Sequence, residues 1–232
     1  MADPYFDQYA ETYDEDLRKA LSVSGEGKEY FAEGRMEWLA RWLAGFGQRA
    51  DTVLDFGCGT GTAIPFALDS LKARKIVGED VSEESLAIAR QMHSGEPRAS
   101  FRSPDGGVGA SFDLAFCNGV FHHIDPERRG ECLTHVLDSL RPGGIFALFE
   151  NNPWNPATRY VMSRCAFDAD AITLSPIETR SIMRRAGFRI LTTRFLFVFP
   201  AFLKCLRFLE SPLSPLPLGT QYVVIGMKPT QP

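Results

Sequence analysis

A glycine-rich turn constrains the fold of this chain more than any other feature of its sequence. The segment VLDFGCGTG, residues 53–61, starts in a short apolar run and leads into a stretch with helical spacing. Glycines in such a turn let the backbone approach a bound ligand and direct amides at it. The spacing Gly57-x-Gly59-x-Gly61 differs from the GxGxxG pattern of dinucleotide sites. Asp55, just before the turn, disfavours a pyrophosphate and favours a ligand with an ammonium group.

A second carboxylate follows the next predicted strand along the chain. Asp80 lies near the end of an apolar run that begins at Ile76. In an open α/β sheet, an acidic side chain at that strand end can accept hydrogen bonds from ribose hydroxyls. The glycine turn, Asp55 and Asp80 together indicate a site for a nucleoside that carries an amino-acid tail.

The apolar residues between 50 and 150 alternate between short strand-like runs and stretches with helical spacing, which is typical of βαβ units and a parallel sheet. Strands are predicted at 52–56, 76–81, 99–102, 112–117, 145–150, 188–199 and 221–228, and helices at 30–46, 63–73, 127–140 and 176–186. Ser82 is predicted to cap a further helix. We therefore predict an α/β fold built on a parallel sheet.

Charge and cysteine content exclude several classes of protein. The 25 Lys and Arg and 29 Asp and Glu give a formal net charge of −4 without a basic cluster, so no nucleic-acid partner is expected. The five cysteines are scattered without a CxxC pair, which predicts neither a disulfide framework nor a metal site. The acidic N-terminus and the short apolar run at 195–203 predict no signal peptide and no transmembrane segment, so a cytoplasmic protein is expected.

Four segments resemble, in order, the class I S-adenosylmethionine (SAM)-dependent methyltransferases. They are VLDFGCGTG (53–61), VGEDVSEESLAIA (77–89), FDLAFCNGVFHHI (112–124) and LRPGGIFALFE (140–150). The segment FDQYAETYDEDL (6–17) resembles a helix that covers the cofactor in small-molecule methyltransferases, where Tyr13 would close the lid. The resemblance implies a Rossmann-like seven-stranded sheet, mostly parallel with an antiparallel last strand, and helices on both faces. It also implies SAM as cofactor, S-adenosylhomocysteine as product, and an O or N nucleophile of a small molecule, natural product or modified peptide as acceptor.

The resemblance also assigns cofactor contacts. Asp55 and the backbone of Gly57, Cys58 and Gly59 would hold the methionine portion, and the backbone carbonyl of Asn118 would meet its amino group.

The nucleoside contacts follow the next two strands. Asp80 would bind the ribose and Val81 would flank the adenine. Asp105 is the candidate for a second adenine contact, with Arg102 and Ser103 as alternatives.

The acceptor side is less constrained. His123 matches a histidine common in related enzymes and would be a base or orient the acceptor; the alternative is a hydrogen-bonded structural histidine. Functional groups of such folds lie on loops at this sheet edge, and the segment after the fifth strand is rich in polar and aromatic residues. Candidate acceptor contacts are His122, Asn151, Asn152, Trp154, Asn155 and Arg159. Loop structure is the alternative for this segment, because Asn-Pro pairs initiate turns.

The resemblance leads us to expect one methyltransferase domain over 1–232, as a monomer or homodimer. Within it, 1–48 would form N-terminal cap helices, 50–150 the cofactor-binding core, and 151–171 and 200–219 acceptor-side insertions forming the C-terminal part of the cap.

Phenylalanine is unusually frequent, with 18 Phe against 6 Tyr and 3 Trp, and several cluster between 195 and 208. Apolar residues with helical spacing predict a short amphipathic helix there: Phe202, Leu203, Leu206 and Leu209. This helix has three possible interpretations: a core helix, a dimer surface or a lid over an apolar acceptor. Packing in the core is the interpretation that we favour.

Two other functions stay open from the sequence. One is a non-catalytic SAM-binding regulatory protein. The other is a nicotinamide-dependent oxidoreductase, which the glycine spacing and Asp55 disfavour.

Overall fold

A seven-stranded sheet forms the centre of the molecule, whose computed structural model describes residues 21, 24–104, 111–165, 168 and 170–230. Its strand order is β3-β2-β1-β4-β5-β7-β6. The strands are β1 (Thr52–Phe56), β2 (Lys75–Glu79), β3 (Ala99–Arg102), β4 (Phe112–Asn118), β5 (Leu140–Asn151), β6 (Arg189–Leu196) and β7 (Gln221–Met227). Strands β1 to β5 pair in parallel, and β7 is antiparallel to both β5 and β6. The predicted Rossmann-like fold class is confirmed.

Helices connect the strands. They are α1 (Lys28–Gly45), α2 (Ile64–Leu71), α3 (Glu83–Met92), α4 (Arg129–Ser139), α5 (Pro156–Met162), α6 (Pro176–Arg185) and α7 (Glu210–Leu213), with 3-10 helices at Phe121–His123 and Ala201–Leu209. Ser82 caps α3 as predicted, since its hydroxyl accepts a hydrogen bond from the Ser85 amide at 3.1 Å. In the described part of the chain, no helix is long and apolar enough to cross a membrane.

Two hydrophobic clusters pack against the sheet. One joins α1 and α2 to the sheet through residues such as Met36, Leu39 and Ile64. The other contains Leu133 of α4 and Met183 of α6. Met36 and Leu39 are fully buried, so one side of α1 packs in the core, while Tyr30 and Phe31 of the same helix line a cavity.

The order of the strands reverses between β1 and β4. The chain moves outward from β1 through β2 to β3, then returns to β4 on the opposite side of β1. In open α/β sheets, ligands bind in the crevice at the carboxyl ends of the strands where this reversal occurs. The glycine turn follows β1 and the 3-10 helix at 121–123 follows β4, so both border this crevice.

Candidate functional site

The glycine turn is fastened to the end of β2 by its own amides. The Gly57 and Cys58 amides donate to the Glu79 carbonyl at 2.7 and 3.0 Å. The Gly59 amide donates to Asp80 Oδ2 at 2.8 Å, and the Ser82 amide donates to Asp80 Oδ1 at 3.0 Å. The backbone amides expected to face the cofactor therefore shape the turn, and Asp80 holds it in place.

Two positions in the turn favour glycine for different structural reasons. Gly57 has φ +74° and lies against Val120, so a Cβ there would overlap the Val120 side chain. Gly59 has φ +52°, and a Cβ built on it would meet no heavy atom within 4 Å. Gly57 is thus required for packing, whereas Gly59 borders open space that a ligand can enter.

Two buried oxygens on neighbouring strands lack hydrogen-bond partners among the described residues. They are Asp55 Oδ2 on β1 and Asn118 Oδ1 at the end of β4. Burial, together with the Asp80 carboxylate, raises the pKa of Asp55 to about 8, while Arg35 acts in the opposite direction. Buried acceptors without donors are costly, so a ligand with an ammonium group fits this position.

A buried carboxylate and imidazole lie beyond β4. Glu150, near the end of β5, accepts a hydrogen bond from the Phe121 amide at 2.7 Å, and its Oε2 lies 2.6 Å from His122 Nδ1. Burial opposes the charge of His122, but the carboxylates of Glu150 and Asp168 raise its pKa to about 10. Burial and the neighbouring His122 lower the pKa of His123 to about 4. The adjacent histidines therefore differ strongly in their affinity for a proton.

Asp168 joins this pair from the segment after α5. Its Oδ1 lies 3.5 Å from His122 Nε2 and 3.4 Å from His123 Nε2. The carboxylates of Glu150 and Asp168 thus flank His122 on its two ring nitrogens.

Arg129, the first residue of α4, connects the two sides of this cluster. Its guanidinium is 2% exposed and donates to the carbonyls of Phe121, Ile124 and Ile172 at 2.7 to 3.0 Å. The Ile172 amide in turn donates to the His122 carbonyl at 2.8 Å. These bonds hold the histidine turn against the chain that follows Asp168.

A cavity of about 420 Å³ opens beside Asn118 and Gly119, a size usual for small-molecule sites. His122, His123 and Asp168 line one part of it. Aromatic side chains line much of the rest: Tyr30, Phe31, Phe149, Tyr160, Phe197, Phe199 and Phe202. The cavity is therefore largely apolar, and its ionisable lining includes Glu26, Lys28 and Arg35 besides the two histidines and Asp168.

Phe197 has an unusual backbone at this cavity. Its φ is +62°, a conformation that costs a non-glycine residue about 1–3 kcal/mol. Its ring packs against Phe31 at 5.0 Å and Tyr30 at 5.8 Å between centroids. A Cβ at Gly34 would lie 2.7 Å from the Phe197 ring, so Gly34 gives this ring room.

The Phe-rich excursion is not a core helix. None of the residues in the 3-10 helix Ala201–Leu209 is buried, and Phe202 and Phe208 are 78% and 74% exposed. The expected helical spacing is replaced by 3-10 geometry, which follows Pro200 and is interrupted at Leu203. The buried phenylalanines, Phe195 and Phe197, lie before the excursion.

The candidate acceptor contacts separate into two groups. Asn151 and Asn155 line the cavity, together with His122 and His123. Asn155 also caps α5, because its Oδ1 accepts from the Ala157 amide at 2.8 Å.

The other candidates lie outside the cavity. Asn152 is fully buried, and its amide donates to the carbonyls of Gly219 and Pro217 at 2.8 and 3.3 Å. Trp154 packs near Phe195, and Arg159 is exposed. The expected acceptor contact of Asn152 is thus corrected to a structural role, and the Asn-Pro turns explain much of this segment.

On the cofactor side, Cys58 is buried and Val81 is 37% exposed next to Asp80. Arg102, an alternative for the adenine contact, instead forms an ion pair with the buried Glu79, with Nη2 to Oε1 at 2.7 Å. Tyr13 and Asp105 lie outside the residues that the structure describes.

Sequence reasoning missed Glu150, Asp168 and Arg129. Glu150 and Asp168 stand in the segments ENNPWNP and CAFDADA, but only the fold brings them to the same imidazole. Arg129 begins α4 and gives no sequence signal that separates it from its exposed neighbour Arg128.

Comparisons with known proteins show what the chain is similar to in sequence. Residues 54–146 match the model of a methyltransferase domain family. A 102-residue segment is 33% identical to trans-aconitate 2-methyltransferase of Azoarcus sp. strain BH72, covering 43% of this chain and 38% of that enzyme. The chain thus spans less than half the length of this curated relative.

Solved structures match over most of the chain. A SAM-dependent methyltransferase from Thermotoga maritima superposes with a TM-score of 0.65 at 19% identity, covering 97% of this chain and 98% of that one. Another from Archaeoglobus fulgidus gives 0.64 at 17% identity, covering 87% and 95%. With the sheet order and the glycine turn, the match of residues 54–146 to the methyltransferase domain family supports a class I SAM-dependent methyltransferase, and the solved structures show the same fold.

Proposed function

We propose that this protein transfers a methyl group from SAM to an oxygen or nitrogen atom of a small molecule with a largely apolar body. The observation that carries the proposal is the aromatic cavity, which lies beside the carboxyl end of β4 and is lined by the two histidines. Its size suits a small molecule, and its lining offers apolar contact along most of its walls.

The described residues fit the cofactor. Asp55 and Asn118 would hold the amino end of the methionine portion, because both have buried oxygens that lack a donor among the described residues. Asp80 would receive the ribose hydroxyls, since each carboxylate oxygen can accept more than one hydrogen bond. Bound SAM supplies an electrophilic methyl group on a sulfonium centre. The protein's own contribution is alignment, which can supply about 7–11 kcal/mol of the barrier.

On the acceptor side, the cavity walls would exclude water and orient the apolar body. His123 lines the cavity and would take a hydrogen bond or a proton from the acceptor. Glu150 and Arg129 would act through position, because they hold the turn at 121–123.

Titration calorimetry of the purified protein with S-adenosylhomocysteine and with NAD tests the cofactor assignment. We expect binding of S-adenosylhomocysteine at one site and no binding of NAD. Binding of NAD alone would support the oxidoreductase interpretation instead. Release of S-adenosylhomocysteine from SAM with a panel of phenols, amines and carboxylates would then separate an enzyme from a silent binding protein.

Asp80→Ala is expected to weaken S-adenosylhomocysteine binding by about 1.5–3 kcal/mol, or about 10- to 150-fold. The variant loses the proposed ribose contact and the acceptor that holds the Gly59 and Ser82 amides. Calorimetry measures the affinity. Glu83→Ala, which removes a more exposed carboxylate on α3, serves as the matched control and should bind within twofold of wild type. Equal affinities of the two variants would refute the assignment of Asp80.

His123→Ala is expected to lower turnover of a hydroxyl or amine acceptor by about 10²- to 10⁴-fold, the contribution typical of a positioned base. The affinity for S-adenosylhomocysteine should stay within twofold, because His123 lies on the acceptor side. Single-turnover methyl transfer measures the effect. Ile177→Ala, at a residue 69% exposed on α6, is the surface control. Wild-type turnover in His123→Ala would leave His123 with a structural role.

A carboxylate acceptor is the second candidate, and the relative named for methylation of trans-aconitate favours it. A carboxylate is already deprotonated at neutral pH and needs no base. If His123→Ala methylates a carboxylic acid as fast as wild type does, the result would favour this candidate.

A further inference from the structure

Three side chains with potential metal-ligand atoms lie close together in the cavity wall. His122, His123 and Asp168 each offer one ligand atom within 4.8 Å of those of the other two, and Asp168 Oδ1 lies near the Nε2 atoms of both histidines. We propose that His122, His123 and Asp168 form a binding site for a divalent transition metal of the zinc class. This inference goes beyond methyl transfer and holds whether or not the proposed acceptor is correct.

The separations of the donor atoms support a shared ion over direct hydrogen bonds. Asp168 Oδ1 is buried and makes no hydrogen bond of acceptable geometry with a described residue. It lies 3.5 and 3.4 Å from the two imidazole nitrogens, longer than the ~2.7–2.9 Å of a charge-assisted hydrogen bond. The edge of a tetrahedron with metal-ligand bonds of about 2.0–2.1 Å is about 3.3–3.4 Å. The two separations therefore match the spacing of ligands on a four-coordinate ion.

The chemical nature of the ligand atoms further limits which metal ion can bind. Two imidazoles and one carboxylate suit zinc and its neighbours, whereas calcium and magnesium prefer oxygen ligands throughout. An octahedral ion with bonds of about 2.1 Å would also need adjacent ligands about 3.0 Å apart, closer than those observed. Zinc, or cobalt in its place, is therefore the best match.

A second layer of contacts orients the ligands. Glu150 lies 2.6 Å from His122 Nδ1, so donation from Nδ1 leaves Nε2 directed at Asp168 and His123. Carboxylate-histidine pairs of this kind orient the histidines of zinc sites. Arg129 holds the carbonyls of Phe121 and Ile172, on either side of the cluster, so the ligands are positioned before an ion arrives.

The site has an open side. All three ligands line the cavity, and three protein ligands leave a tetrahedral ion with one free position. An oxygen or sulfur atom of a molecule in the cavity could occupy that position, and the ion would favour its deprotonated form. In the metal-loaded protein, the ion would then replace His123 as the group that activates the acceptor.

Cobalt provides a direct probe. Protein freed of metal by chelation is titrated with Co²⁺ while the visible absorption is recorded, and Zn²⁺ is then added. We expect one equivalent of Co²⁺ to give the intense absorption of a four-coordinate ion and Zn²⁺ to remove it. A silent titration, or the weak absorption of a six-coordinate ion, would overturn the proposal.

Variants assign the ligands. Asp168→Asn and His123→Asn should each weaken Co²⁺ binding at least tenfold, and Glu150→Gln should weaken it about 10- to 100-fold through His122. Asp170→Asn, at the exposed acidic residue two positions after Asp168, is the matched control and should bind Co²⁺ as wild type does. Circular dichroism verifies folding, and the two asparagine variants provide independent tests if one of them is unstable. Wild-type Co²⁺ affinity in a folded Asp168→Asn or His123→Asn would refute the site.

The same samples are titrated with S-adenosylhomocysteine. Binding of S-adenosylhomocysteine without Co²⁺ binding would overturn the metal site and leave the proposed methyl transfer intact. The reverse result would support the metal site and count against the cofactor assignment.

Discussion

Arg129→Met is expected to lower the free energy of unfolding by about 3–5 kcal/mol. The substitution leaves the carbonyls of Ile124 and Ile172 without their donor and the Phe121 carbonyl with the Ile124 amide alone, and each unsatisfied buried carbonyl costs about 1–3 kcal/mol. Methionine preserves much of the side-chain length, so the effect reports lost hydrogen bonds more than a cavity. Urea denaturation followed by circular dichroism measures the change.

The neighbouring Arg128 provides the control. It is exposed, so Arg128→Met should change the free energy of unfolding by less than about 0.5 kcal/mol. Arg129→Lys, which keeps a charge but has one donor group in place of a planar fork, should fall between the two. If Arg129→Met were as stable as Arg128→Met, the guanidinium would not be the connection that holds the histidine turn.

Asp55→Asn is expected to change stability and ligand affinity in opposite directions. The raised pKa of Asp55 means that the folded protein disfavours the carboxylate form, because burial and the Asp80 carboxylate oppose its charge. A nearly isosteric amide removes that unfavourable charge, so the unliganded variant should be more stable than wild type at pH 8. The ammonium group of the ligand loses its proposed partner, so S-adenosylhomocysteine affinity should fall by about 1.5–3 kcal/mol, or about 10- to 150-fold.

The pH dependence gives the sign of the stability effect. A carboxyl whose pKa is about 8 in the folded protein and near 3.8 when unfolded stabilises the fold fully below pH 3.8. That contribution is lost as the pH rises toward 8, since the unfolded state ionises first. The stability advantage of Asp55→Asn should therefore grow between pH 4 and pH 8, as measured by urea denaturation at each pH.

Two results would contradict this account of Asp55. One is a stability difference that is independent of pH, which would show that the carboxyl titrates normally in the fold. The other is unchanged S-adenosylhomocysteine affinity, which would place the ammonium group elsewhere. Asp51→Asn, at a half-exposed carboxylate just before β1, is the control for both measurements.

Local sequence patterns determined the sheet and the glycine turn. Strands β1 and β3 were predicted with the bounds that the structure gives them, and α6 to within one residue. Buried strands form continuous apolar runs, and caps and prolines mark helix ends, so neighbouring residues hold the information. Asp55 and Asp80 were found for the same reason, because each lies at the end of such a run.

Tertiary structure alone decided the acceptor side. The three residues that matter there are separated in the sequence: Arg129, Glu150 and Asp168. Their roles depend on which carbonyl or imidazole the fold brings within hydrogen-bond or ion-pair distance. Asn152 was expected to contact the acceptor, but its side-chain amide donates a hydrogen bond to the Gly219 carbonyl, which the fold brings next to it. Sequence periodicity reports which face of an element is apolar. It does not report which polar groups meet across the sheet edge, because those contacts come from segments that pack together only in the folded chain.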